Sequence, residues 1–91
     1  MSIRSFRSKA LQRLFELGHD KRIPTDRHRK LIALLDHLEA ARTKQDLSIA
    51  GFHELKGDRK GTSAWKVTAN WRPTFRFSSS DAFDVDLEDY H

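Results

Sequence analysis

The spacing of apolar residues changes near residue 52, and this change limits the folds available to the 91-residue chain. Before it, apolar side chains recur at helical spacing, as in the series Leu31, Leu34, Leu35 and Leu38. After it, apolar and polar side chains alternate, which is typical of strands with one buried face. Helices followed by a run of strands favour an α+β domain, with the helices packed on one face of the sheet.

Two helices are predicted before the change in period. Ser8 is a suitable N-cap for the first helix, and Gly18 ends it. The apolar stripe of this helix is expected to hold five residues: Ala10, Leu11, Leu14, Phe15 and Leu17. The second helix is expected to begin near Thr25 and to end by Arg42, and a short optional strand over residues 2–6 precedes both helices.

Three or four antiparallel strands are predicted after the change in period. They span residues 52–55, 63–68, 71–77 and 82–88. The last strand is expected to turn Phe83, Val85 and Leu87 toward the core. Residues 1–91 are thus predicted to form a single α+β domain, with two N-terminal helices on one face of a small, mainly antiparallel sheet.

A proline falls inside the third of these predicted strands. Because Pro73 has no N–H group for the ladder, a bulge or a local gap in pairing is expected there. The alternation of the last two strands also predicts which polar residues face each other. The expected pairs are Arg76 with Asp84, Arg72 with Glu88, and Asn70 with Tyr90.

Basic side chains are concentrated in the first third of the chain. Residues 1–30 hold nine basic and three acidic side chains, and the whole chain has a formal net charge of +4. This distribution suits a phosphate backbone or an acidic protein partner, and a solvated helical surface is the plainer alternative. The chain has no cysteine and no apolar run near the roughly 20 residues that span a bilayer. We therefore expect a cytoplasmic protein with no membrane partner.

The side chains near the predicted strands are of the kinds that cleave RNA without a metal. The ribose 2′-OH can act as the nucleophile when a base takes its proton, a cation stabilises the phosphorane and an acid protonates the leaving 5′-oxygen. His53 and Lys56 flank the strand that leads into a basic loop, and Arg72 and Tyr90 are predicted to share one open sheet face. Each also has a plainer interpretation as a solvated surface residue, a surface ion pair or a frayed terminus.

Several short motifs carry a family resemblance. They are Ile3-Arg-Ser-Phe6, the run His-Glu-Leu-Lys-Gly-Asp-Arg-Lys-Gly at 53–61, Trp65-Lys-Val67, Asn70-Trp71-Arg72, and Asp-Leu-Glu-Asp-Tyr-His at 86–91. In this order and spacing they resemble the HigB-type host-inhibition toxins of the RelE/ParE superfamily, and the resemblance runs nearly the whole length of the chain.

The resemblance implies a compact RelE/ParE-like domain and an activity. It implies a toxin of a type II toxin–antitoxin system, a ribosome-dependent endoribonuclease that cuts messenger RNA in the decoding site. It implies no metal and no cofactor. The expected partners are a helix-turn-helix antitoxin of the HigA type, the ribosome and messenger RNA, with operator DNA contacted only through the antitoxin.

The resemblance also implies the residues of the site. The family's active-site pattern matches six positions: His53, Lys56, Arg72, Asp89, Tyr90 and His91. The positions expected to bind RNA are Arg59, Lys60 and Asn70. The sequence departs from the family pattern at Pro73, because that pattern has an aliphatic residue after the arginine. That departure puts the placement of Arg72 in question.

Two other functions share the predicted fold. ParE-like relatives inhibit DNA gyrase without enzymatic chemistry, and a degenerate toxin binds its antitoxin and does nothing else. The combination of His53, Lys56, Arg72 and the terminal Asp-Tyr-His argues against the gyrase inhibitor. Gyrase inhibition in a supercoiling assay, without any cleavage of messenger RNA, distinguishes that function from the ribonuclease.

Overall fold

Helices and strands follow one another in the order that the change in period predicts. The computed structural model describes residues 2–48, 52–67, 71–78 and 80–89, with Asp89 described by its backbone alone. The helices are α1 (Lys9–Leu17) and α2 (Thr25–Ala40). The strands are β1 (Ser2–Ile3), β2 (Phe52–Glu54), β3 (Thr62–Trp65), β4 (Trp71–Ser78) and β5 (Asp81–Asp89). Short 3-10 turns lie at Lys44–Leu47 and Gly57–Arg59.

The predicted limits of α1 are confirmed. The Ser8 hydroxyl accepts the Leu11 N–H at 3.1 Å, and the Gly18 N–H donates to the Leu14 carbonyl at 2.9 Å. Leu11 and Leu14 are buried, but Leu17, also predicted to be part of the stripe, is 67% exposed. At about 100° per residue, Leu17 lies roughly 90° from the direction midway between the two buried leucines. Leu17, the last residue of α1, therefore points away from the core.

The five strands form one mixed sheet in the order β1-β5-β4-β3-β2. β1 runs parallel to β5, and the other neighbours are antiparallel. The Arg4 N–H continues the parallel edge by donating to the Ala82 carbonyl at 2.8 Å, and Phe6 bridges to Val85. The optional first strand is thus confirmed as an edge strand, and the predicted α+β class is confirmed.

The core lies between the two helices and one face of the sheet. Leu11, Leu14, Leu31, Leu35 and Leu38 pack from the helices, and Trp65, Phe75 and Val85 pack from the strands. The Trp65 and Phe75 ring centroids are 5.0 Å apart, a separation typical of favourable aromatic pairs. The buried Trp65 indole N–H donates to the Leu47 carbonyl at 3.3 Å. That bond fixes the connection between α2 and β2 to the core.

Of the two alternatives expected at Pro73, a bulge or a local gap in pairing, the bulge is wrong, because Pro73 pairs in register with Leu87, but the gap is present on the β3 side. The Val67 N–H donates to the Trp71 carbonyl at 3.2 Å. This bond shows that Trp71 directs its backbone groups toward the β3 side. Because alternate residues of a strand point their backbone groups to the same side, the Pro73 nitrogen points toward β3 as well. β3 ends at Trp65, opposite this position. The missing N–H therefore leaves a local gap in the β3–β4 pairing, between the Ala64–Thr74 pair and the Val67–Trp71 hydrogen bond.

The bulge lies instead in β5, at Asp84. Thr74 pairs with Asp86, whereas Arg76 pairs with Phe83, so β5 holds one extra residue between these pairs. Asp84 has a φ of 54°, in the left-handed region. The predicted pair Arg72–Glu88 is confirmed, and the predicted pair Arg76–Asp84 is wrong.

The bulge changes the face on which Phe83 lies. A shift of one residue moves a side chain to the opposite face of a sheet. Val85 and Leu87 pack on the core as predicted, but Phe83 shares the face of its partner Arg76, away from the helices. The prediction that Phe83 points inward is therefore wrong. The predicted pair of Asn70 with Tyr90 lies outside the described residues.

The left-handed backbone at Asp84 predicts an unusual order of variant stabilities. Asp84→Gly and Asp84→Ala both remove the carboxylate, and only alanine retains a Cβ that the left-handed conformation disfavours. We expect Asp84→Gly to be the more stable by about 1 kcal/mol in urea unfolding. At Glu54, in regular β2, the same pair of substitutions should show alanine as the more stable. An alanine variant at position 84 as stable as the glycine variant would contradict a built-in bulge.

Candidate active site

The open face of the sheet, opposite the helices, carries the candidate active-site residues. His53, Ala64, Thr74 and Asp86 form one row of partners across β2, β3, β4 and β5. Arg72 and Glu88 form the next row on β4 and β5. Because paired residues of neighbouring strands share a face, both rows lie on the same side of the sheet.

One carboxylate on this face contacts two arginines. Arg59 donates two hydrogen bonds to Glu88, from Nη1 to Oε1 at 2.7 Å and from Nη2 to Oε2 at 2.5 Å. The Arg72 Nη2 atom lies 3.6 Å from Glu88 Oε1. The Arg72 side chain is only 16% exposed, although it lies on the face of the sheet opposite α1 and α2. The Gly57–Arg59 turn thus folds back over the sheet and helps enclose Arg72.

These contacts keep Glu88 ionised. The hydrogen bonds from Arg59 lower the pKa of the Glu88 carboxyl from 4.5 to about 2. Partial burial opposes this effect, while a Thr74 side-chain hydrogen bond and the charges of Arg59 and Arg72 add to it. The two guanidinium groups share the Glu88 carboxylate, and the charges of Asp58 and Asp86 also act on Arg59. Guanidinium groups bind phosphate oxygens through paired N–H donors, so the arrangement suits an RNA backbone.

The structure brings some of the predicted site residues together. Arg72 and Arg59 meet at Glu88. His53 is exposed on β2, two strands from Thr74, which places it roughly 10 Å away at the usual strand spacing. Lys56 and Lys60 are exposed at the two ends of the Gly57–Arg59 turn.

The described part of β5 ends at Asp89, next to Glu88. The backbone of Asp89 pairs with that of Trp71, directly beside the Arg72–Glu88 row. Asn70, Tyr90 and His91 lie outside the described residues, so their predicted roles remain predictions. His53 and Arg72 are both on the described open face.

The sequence interpretation missed the principal partner of Glu88. It paired Glu88 with Arg72 by register and assigned Arg59 to RNA alone. The available signal was the pair of glycines around the turn, since Gly57 and Gly61 have φ values of 70° and 96°. Such left-handed positions allow a short loop to double back over a sheet. They did not reveal which side chain the loop would place on Glu88.

The described residues form neither a metal cluster nor a membrane-spanning helix. Within residues 2–48, 52–67, 71–78 and 80–89, no three His, Asp or Glu side chains are placed to hold a metal ion. In the same part of the chain, no helix has both the length and the apolar character needed to cross a membrane.

Comparisons with known proteins agree with the motifs. Residues 4–91 match the family model described as the RelE-like toxin of type II toxin–antitoxin system HigB. The chain is also similar to the endoribonuclease HigB of Proteus vulgaris, with 38% identity over 91 residues. That alignment covers 98% of this chain and 99% of the relative. The family resemblance predicted from the sequence is confirmed.

The lowered pKa of Glu88 predicts how acid affects stability. A carboxyl with a pKa of about 2 when folded and 4.5 when unfolded stabilises the fold above pH 4.5 and loses this effect as the pH falls toward 2. We expect Glu88→Gln to lower the free energy of unfolding by about 1–2 kcal/mol at pH 7, a value reduced for the partial exposure of Arg59. The difference should shrink by pH 3. Urea unfolding at both pH values, with Asp36→Asn on α2 as the control, checks this. A difference that is the same at pH 7 and pH 3 contradicts the ion-pair account.

Proposed function

Because the chain belongs to the RelE-like HigB toxins of type II toxin–antitoxin systems, we propose that it is an endoribonuclease that cleaves messenger RNA in the ribosomal decoding site. This cleavage stops translation and growth. The endoribonuclease name of the relative supports RNA cleavage. The observation that carries the proposal is the placement of Arg72 and Arg59 around Glu88 on the open sheet face.

The proposed reaction is a transesterification within the RNA. A general base removes the proton of a ribose 2′-OH, and its oxygen attacks the adjacent phosphorus. Cations stabilise the extra charge of the phosphorane. The bond to the 5′-oxygen then breaks, and a general acid protonates that oxygen. The products are a 2′,3′-cyclic phosphate and a 5′-OH, and side chains alone supply the proton transfers.

The charged and proton-transferring roles fall to separate residues. Arg72 and Lys56 stabilise the phosphorane. His53 or His91 exchanges protons, because imidazole is the side chain whose unperturbed pKa lies near neutrality. Asp89 orients these groups or acts as the base itself.

The remaining site residues bind the substrate. Tyr90 stacks on a base or hydrogen-bonds to it, and Asn70 assists. Lys60 is exposed beside the Gly57–Arg59 turn and is available to phosphate. Arg59 uses one edge of its guanidinium on Glu88 and supports the site while retaining donors for RNA.

A type II toxin has an antitoxin partner, and the surface charge suggests where it binds. We place a HigA-type helix-turn-helix antitoxin against the basic surface of α1 and residues 21–30. Arg13 and Arg22 lie 3.8 and 3.4 Å from the buried Asp20, which fixes this surface to the fold. Operator DNA is then contacted only through the antitoxin, and a ribosomal substrate places the toxin in the cytoplasm.

Arg72→Ala provides the test of this function. Loss of a transition-state cation is expected to lower cleavage by about 10²–10³-fold. Primer extension on messenger RNA from cells expressing the wild type or the variant measures it. Arg4→Ala is the matched control, since Arg4 is 59% exposed, pairs with Asp81 and lies on the β1 edge. Thermal melting of both variants verifies that they fold.

Two outcomes contradict the proposal at different levels. Equal cleavage by the wild type and Arg72→Ala removes Arg72 from the chemistry. If the protein inhibits growth and blocks gyrase supercoiling while messenger RNA stays intact, it is a gyrase inhibitor and not a ribonuclease.

A further inference from the structure

We propose that Phe83 and Arg76 form a nucleotide-binding subsite on the open face of the sheet, apart from the Arg72–Glu88 row. The Phe83 ring stacks on an unpaired base of the RNA strand, and the Arg76 guanidinium binds a phosphate of the same strand. The subsite rests on the proposed function, since it extends the substrate path of the proposed ribonuclease.

The bulge at Asp84 is what places Phe83 on this face. Alternation along β5 alone predicts Phe83 in the core, but the extra residue turns it to the side of Arg76. Among the described residues, Phe83 is not one of the half-buried apolar side chains that pack on the core. Bulges frequently redirect a side chain beside a functional site, and a non-glycine residue in the left-handed region has an energetic cost.

Arg76 supplies the positive charge of the subsite. It is exposed and pairs across the strands with Phe83, so their Cβ atoms are about 5 Å apart. In the described part of the chain, no carboxylate lies within ion-pair distance of Arg76. The nearby Asp84 is 3.7 Å from Arg7, which offsets its charge. The Arg76 Nη2 atom also lies close to Gly61, next to the basic loop. A Cβ atom added to Gly61 would be 3.9 Å from it.

The two side chains line a concavity of about 430 Å³ with Phe77, Ser78 and Asp84. A concavity of equal volume near β1 has no aromatic ring in its lining, and its Arg4 is 3.1 Å from Asp81. An aromatic ring beside an arginine is the combination that binds single-stranded RNA, through base stacking and phosphate contact. The concavity at Phe83 therefore fits a nucleotide, whereas the one near β1 lacks the stacking surface.

The position of the subsite indicates which nucleotide it binds. Arg76 lies four residues along β4 from Arg72, which is about 13 Å on an extended strand. Both residues are on the same face, so one RNA strand can contact both. The subsite thus binds a nucleotide away from the cleaved phosphate and affects RNA binding more than the chemical step.

Titration of the ¹⁵N-labelled protein with a nine-nucleotide 2′-O-methyl RNA, followed by NMR, tests the subsite without cleavage. Signals of residues near 76 and 83 should shift. Phe83→Leu should raise the Kd about tenfold, and Phe83→Tyr should retain wild-type binding, because only the first removes the aromatic ring. Arg76→Gln should reduce the slope of log Kd against log salt by about 0.7. Leu17→Ala and Arg4→Gln are the controls, and thermal melting confirms folding.

Three results overturn the subsite. The first is that the wild type does not bind the RNA. The second is that Phe83→Leu and Arg76→Gln both bind RNA as the wild type does. The third is that these variants lose antitoxin binding while their RNA binding is unchanged. The last assigns the surface to a protein partner. Cleavage of messenger RNA by the wild type is measured separately. A wild type that binds at Phe83 but does not cleave contradicts the proposed function alone, and one that cleaves without contact at Phe83 contradicts the subsite alone.

Discussion

The antiparallel pairing of β4 with β5 fixes the position of the candidate site. This ladder places Arg72 opposite Glu88 and the backbone of Asp89 opposite that of Trp71. It also joins the two halves of the sheet, since β3 pairs with β4 and β1 pairs with β5. A slip of one residue would turn every one of these side chains to the other face. The apolar residues Phe75, Val85 and Leu87 resist such a slip because they must face the helices.

The ladder alone does not enclose the site, and the Gly57–Arg59 turn completes it. Arg59 reaches Glu88 from this turn and forms two hydrogen bonds with it, which keeps the loop against the sheet. Glu88 in turn sits beside Arg72 and limits where that guanidinium can move. A carboxylate between two arginines offsets part of their mutual repulsion. Two guanidinium groups are therefore held close together in the structure, and the proposed reaction requires cations that are positioned in this way in advance.

Much of the fold follows from local signals in the sequence. Ser8 and Gly18 mark the ends of α1 because capping needs only neighbouring residues. The bulge was not predictable in the same way, since Asp84 is neither glycine nor out of step with the alternation of β5. Pro73 suggested a bulge in the wrong strand, because its missing N–H only interrupts the β3–β4 pairing and leaves the β4–β5 register at Leu87 intact. The Arg59–Glu88 contact spans 29 residues and has no local signal. The family motifs predict that Arg72 and His53 belong to the active site, whereas ordinary patterns alone would treat them as surface residues.

The chemical nature of the RNA ends is the decisive measurement for ribosome-dependent cleavage. Purified toxin is added to ribosomes programmed with one defined messenger RNA, and to the same RNA without ribosomes. Mass spectrometry then identifies the new termini. The account predicts a 2′,3′-cyclic phosphate and a 5′-OH, formed only when ribosomes are present. Termini carrying a 5′-phosphate, or equal cleavage of the naked RNA, would contradict it.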